Sequence, residues 1–170
     1  LTGSWKFVGQ WQKVDSDMDG LISLCAVLSK IRTISLISCG LGADSAVEIA
    51  NMLRNADAVE HLNLGSNPIG DEALIPILDA LTSVPLISFD ISQTGCGDHA
   101  TIKLAKLLSE AAQLKATIEV IDLSGCQVEP VSQAQALSAA GEISRMRLRA
   151  AQLLAFGLAW HDRVGVTSVV

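Results

Sequence analysis

Tyrosine is absent from this chain, and three Trp and three Phe are all the aromatics it holds. A core without many large rings has to be assembled from similar aliphatic layers, and abundant Leu, Ile, Val and Ala supply them, a composition that suits a repeat protein. Long apolar runs are missing too. A bilayer-spanning helix needs roughly 20 apolar residues, whereas the longest candidate, Ala150 to Trp160, is short and carries Gln152, so no transmembrane helix is expected. Basic residues are the minority, 12 Lys and Arg against 18 Asp and Glu. Phosphate backbones are held by clustered Lys and Arg, so no nucleic-acid partner is expected.

Charge is also unevenly spread. Between Thr33 and Glu142 stand 14 acidic and 4 basic residues, while Ile143 to Val170 holds Arg145, Arg147, Arg149 and Arg163 against Asp162 alone. The chain opens on Leu1, and LTGSWKFVG has neither the basic start nor the apolar stretch of a secretion signal. The compartment is therefore not fixed; an intracellular one is favoured, cytoplasmic or organellar after N-terminal processing. Cys25, Cys39, Cys96 and Cys126 could pair in an oxidising compartment, but three of them recur at regular places, and buried reduced thiols are the reading preferred.

What is present is a repeat. The pattern apolar-x-x-apolar-x-apolar-x-x-(Asn/Cys/Thr)-x-apolar occurs as IRTISLISCGL, VEHLNLGSNPI, LISFDISQTGC and IEVIDLSGCQV. Its centres are Ile34, Leu62, Phe89 and Ile121, and ISRMRLRAAQL offers a fifth copy with Met146 at the centre. The recurrence, at a period of about 28 residues, lies in the range of known repeat architectures. Twelve positions after each of the first four centres comes a helical stripe: Ala46-Ile49-Ala50-Leu53, Leu74-Ile77-Leu78-Leu81, Thr101-Leu104-Ala105-Leu108 and Gln133-Ala136-Leu137-Ala140. Asp44, Asp71 with Glu72, Asp98 and Glu129 precede these helices, where carboxylates accept free amides and oppose the dipole; Pro130 suits an early helical position. Pro76 falls inside the second helix, and about five extra residues lie between Leu108 and Ile121; both predict local distortion.

Strand and helix alternating at this period can bury their apolar faces only against neighbouring units. The expected fold is α/β, a leucine-rich-repeat solenoid with a parallel β-sheet on the concave face and helices on the convex face. The units resemble the ribonuclease-inhibitor class of leucine-rich repeats, including the sensor arrays of nucleotide-binding leucine-rich receptors; HLNLGSNPIGDEAL is close to that unit, and the resemblance spans Ile31 to Leu153. It implies that Cys39, Asn67, Thr94 and Cys126 hold neighbouring backbone in the turn after each strand. The expected organisation is a helical cap over residues 1–30, about five repeats over 31–153, and a C-terminal cap or docking tail over 154–170.

Strand side chains alternate, so the residues flanking each centre should line the concave surface. They are Thr33, Ser35, Ile37; His61, Asn63, Gly65; Ser88, Asp90, Ser92; Val120, Asp122, Ser124; and Arg145, Arg147, Arg149. Asp90 and Asp122 should stand about 4.8 Å apart on adjacent strands, with Arg147 as the compensating cation. This stripe, with His61, Asn63 and the Arg triplet, is the candidate partner-binding surface, or else a solvated face that neutralises itself.

Before the repeats, WQKVDSDMDGLIS resembles an EF-hand loop, with Asp15, Asp17 and Asp19 at its first, third and fifth positions, Gly20 at the bend and Trp11 and Val14 on an entering helix. The twelfth position is Ala26 where the family carries Glu, so the segment reads either as a weak calcium site or as a degenerate loop whose aspartates cap a helix. No other cofactor is expected. His99 and His161 have no companions in sequence that suggest a metal site.

The function expected is a non-catalytic protein-interaction module. The alternative is a structural accessory subunit of a larger, organellar or membrane-associated, assembly, with LLAFGLAW and VGVTSVV docking onto its neighbours. A hydrolase built on His61, Ser88 and Asp90 is a third reading, against which stands a shallow face of small residues without an oxyanion site.

Overall fold

The computed structural model describes residues 4–5, 11–110, 118–127 and 147–149. Each repeat opens with a three-residue strand: β3 Thr33–Ser35, β4 His61–Asn63, β5 Ser88–Asp90, β6 Val120–Asp122 and β7 Arg147–Arg149. (β1, Ser4–Trp5, and β2, Trp11–Gln12, form a separate antiparallel pair.) The central side chains of β3 to β6 are at most 2% exposed, and their flanking residues are not buried, because a strand turns successive side chains to opposite faces.

The five strands form one parallel sheet in chain order, aligned without slip as Ile34, Leu62, Phe89, Ile121 and Leu148. Parallel neighbours need a crossover, usually a helix. Three connections supply one: α2 Ala43–Leu53, α3 Asp71–Ala80 and α4 Asp98–Glu110. Their apolar stripes are the predicted ones, with all twelve of the residues in the first three stripes buried. The stripe starting at Gln133, with Glu129 and Pro130, lies outside the described residues.

The fifth strand corrects the expected register. Leu148, not Met146, stands beside Ile121, at the same interval along the chain as that from Leu62 to Phe89. Apolar residues at both 146 and 148 make the pattern ambiguous by a shift of two, which preserves the face; hydrogen-bonded pairing chooses between them. Arg147 and Arg149 are the strand residues, and Arg145 lies outside the described residues.

Pro76 does not break α3. It is the sixth residue of the helix, and the amide it lacks would have bonded the carbonyl of Glu72 in the first turn. A 3₁₀ turn, Leu81–Ser83, closes the element.

The turn after each strand is held by the row the resemblance singled out. Asn67, fully buried, donates through Nδ2 to the carbonyls of Leu36 (2.7 Å), Leu64 (2.8 Å) and Gly65 (3.2 Å), and accepts through Oδ1 from the amides of Cys39 (2.8 Å) and Leu41 (3.2 Å). One side chain thus satisfies backbone of two adjacent units. Thr94 donates to the Ile91 carbonyl at 2.6 Å, and the Cys39 and Cys126 thiols donate to carbonyls of Ile37 and Ile91, both at 3.4 Å. The turn itself is left-handed at one repeated position: φ is 52°, 57° and 53° at Ser38, Ser66 and Gln93, and 73° at Gly125. Only glycine accepts that conformation without strain, so three of four units adopt a turn that their own residue does not favour.

All four cysteines are buried thiols. Burial pushes those of Cys25 and Cys39 up from their ordinary pKa.

At the N-terminal end, the helix expected to enter the EF-hand-like loop is instead strand β2, and α1, Met18–Leu28, begins inside the would-be loop. The local cause is Asp17, which caps α1 by accepting the Gly20 amide at 2.9 Å. The helix buries Leu21, Cys25 and Leu28 against the core.

Candidate functional site

One face of the sheet is sealed by helices; the other is open. Its strands present Thr33 and Ser35, His61 and Asn63, Ser88 and Asp90, Val120 and Asp122, around a concavity of about 350 Å³. Thr33 and Ser35 are exposed and the other six are half-buried. These are the residues that the alternation of the strands predicts for β3 to β6.

Parallel pairing aligns like positions, and the alignment creates side-chain contacts that the sequence does not display. His61 stands opposite Ser88, with Nδ1 2.8 Å from the hydroxyl oxygen. Asn63 stands opposite Asp90 and donates through Nδ2 to Oδ2 at 2.8 Å. Asp90 stands opposite Asp122 as expected, and each carboxylate also accepts an amide two residues on, from Ser92 and Ser124, both at 2.9 Å. Asn63 does the same for Gly65 at 2.9 Å. The row Asn63, Asp90, Asp122 therefore ends β4, β5 and β6 with a local side-chain turn, a role the sequence reading missed; Asx chemistry two residues before a turn is the signal that could have found it. Asp122 pairs in register with Arg149, whereas Arg147 pairs with Val120, so in strand register it is Arg149, not the expected Arg147, that is the partner position of Asp122.

The trio His61, Ser88 and Asp90 comes together only in part. The imidazole meets the hydroxyl, but Asp90 is engaged by Asn63 and Ser92 rather than by the histidine. In a triad the acid must hold the second ring nitrogen; this carboxylate holds strand ends.

The three N-terminal aspartates go separate ways. Asp15 accepts from the amides of Gly42 (2.7 Å), Asp44 (3.1 Å) and Ser45 (3.3 Å) and from the Ser45 hydroxyl. It thereby caps α2, whose own N-cap residue is Gly42, without a side chain to offer. A Cβ on Gly42 would lie 2.5 Å from Asp15 Oδ2, so glycine is what lets the carboxylate approach. Asp17 caps α1, and Asp19 lies in its first turn.

A second aspartate repeats this arrangement two units on. Asp71, at the start of α3, accepts from the amides of Gly97 (2.9 Å), His99 (3.0 Å) and Ala100 (2.8 Å) at the start of α4. Here His99 does have companions: Nδ1 contacts Glu72 Oε1 and lies 3.9 Å from Asp71 Oδ2. The Glu72 hydrogen bond, then the charges of Glu72, Asp71 and Asp98, hold the imidazole above its ordinary pKa. Among the described residues these three form the one group of His, Cys, Asp and Glu whose ligand atoms converge, all within 4.8 Å. The histidine and the two acids stand in different repeats, and that separation along the chain hid the group.

Comparison with known proteins supports the repeat. Residues 59–78, the second unit from Val59 through most of α3, match the family model described as Leucine Rich repeat. No curated protein matches the chain. The matched unit is a leucine-rich repeat, a motif that points in general to protein–protein interaction and is ordinarily non-catalytic. No described helix is long and apolar enough to cross a membrane.

Proposed function

We propose that the chain is a protein-interaction module, a short solenoid of ribonuclease-inhibitor type whose open sheet face is concave and receives a segment of a partner protein. The observation that carries this reading is the contrast between the faces of one sheet. Every strand centre from β3 to β6 is buried, while eight flanking residues line an open concavity, seven of them, all but Val120, with hydroxyl, amide, imidazole or carboxylate groups. Such groups give a partner orientation and specificity rather than bulk affinity. His61, Asn63, Asp90, Asp122, Arg147 and Arg149 are the contacts we assign, and Arg145, outside the described residues, is assigned with them. Residues 1–30 act as a cap in which Asp15 and Asp17 serve helix ends, which argues for the degenerate loop over the calcium site. Residues 154–170 lie outside the described residues and are assigned as a second cap or docking tail. The alternative, a permanently assembled subunit, differs in how the chain behaves alone.

Cross-linking mass spectrometry with Ser88→Arg, which plants a long cation in the middle of the concavity, tests the assignment against Asp79→Arg on the helical side. Loss of a cross-linked partner with the first and retention with the second is expected; a partner indifferent to Ser88→Arg would sink it. Light scattering on the purified chain separates the module, which stays monomeric, from the assembly subunit, which aggregates.

A further inference from the structure

We propose that Asp71, Glu72 and His99 form a binding site for a divalent transition metal, zinc above all, at the junction of α3 and α4.

The junction at Asp15 shows what the helix cap alone requires. Asp15 takes the amides of Gly42, Asp44 and Ser45, and Asp71 takes those of Gly97, His99 and Ala100, with the same spacing among the three amides in each case. At the first junction the place of His99 is held by Asp44 and that of Glu72 by Ser16, yet the cap forms. The side chains of Glu72 and His99 are therefore additions to a cap that does not need them.

The additions bring one nitrogen and two carboxylate oxygens within 4.8 Å of one another. A tetrahedral ion with bonds of about 2.0–2.2 Å sets its donors roughly 3.4 Å apart. His99 Nδ1 and Asp71 Oδ2 are at 3.9 Å, and the Glu72 oxygen sits closer to the imidazole than that. Small rotations of two exposed side chains suffice, since His99 and Glu72 are 69% and 78% exposed. Asp71 need not move: three amides already fix its carboxylate, the support that metal ligands ordinarily receive from neighbouring groups. An imidazole with two carboxylates suits zinc and its neighbours in the first transition row, whereas calcium asks for six to eight oxygens. Water completes the fourth position on the solvent side.

Calorimetric titration of the full chain with ZnCl₂ tests the site, using His99→Ala and Glu72→Gln, both of which keep the backbone amides that Asp71 caps. One zinc per chain is expected, weakened at least about tenfold in His99→Ala and unchanged in Asp44→Ala, at the equivalent place of the first junction. Cobalt in place of zinc reads the ligands: visible bands of a tetrahedral ion without a thiolate charge-transfer band are expected. No heat in the wild type, binding retained in His99→Ala, or a thiolate band overturns the proposal. An unchanged thermal melt in the variants excludes unfolding as the cause.

Discussion

Phe89 and Ser88 are adjacent in the chain and face opposite ways, and the two sides of the sheet they represent obey different rules. On the sealed side, side chains are at most 2% exposed at every centre from β3 to β6, and apolar contact with the helices decides stability. On the open side the same strands carry groups paired to one another across the sheet, His61 with Ser88 and Asn63 with Asp90. Their contacts are half exposed, so water competes for each and the net contribution to folding is small. The comparison teaches that this sheet is built from one side and left available on the other.

The contrast can be broken from the sealed side first. Phe89 is the bulkiest fully buried side chain among the described residues, and Phe89→Ala should cost about 3–5 kcal/mol through lost transfer energy and a cavity, read as a lowered urea midpoint. A gain or loss below about 1 kcal/mol would mean that the units do not share one cooperative core. Next in size is Asn67→Ala, which strands five backbone groups of two adjacent units. Several recover water in the loosened turn, so we expect a loss of about 2–4 kcal/mol, with hydrogen exchange accelerating at Cys39 and Leu41 before the rest of the core. Uniform exchange across the chain would deny Asn67 its linking role. The open side should respond least: Ser88→Ala removes the His61 contact and should move stability by no more than about 0.5 kcal/mol. A larger loss would show that the open-face pairs belong to the fold, and the contrast between the faces would fail.

Much of this architecture was legible from spacing alone. A buried strand centre once per repeat, followed twelve positions later by a helical stripe, located three helices and four strands, because burial against neighbouring units repeats with the same period as the chain. The fifth strand was misplaced by two positions, since Met146 and Leu148 satisfy the same alternation and only pairing with Ile121 separates them. WQKVDSDMDGLIS read either as a weak calcium site or as a loop whose aspartates cap the helix that follows; Asp15 in fact acts on Gly42, Asp44 and Ser45, a whole repeat away, which its neighbours in sequence do not reveal.

The sequence by itself determined which residues turn inward, how long a unit is, and that Cys39, Asn67, Thr94 and Cys126 share one place in it. Those are consequences of local periodicity, which any unit carries whole. The tertiary structure decided which groups of different units meet: the Asp71 carboxylate with the amides of Gly97 and Ala100, the side chain of Glu72 with that of His99, and His61 with Ser88. Stacking brings positions one repeat apart into contact, and the chemistry of such a pair is a property of two units in register, present in neither one alone.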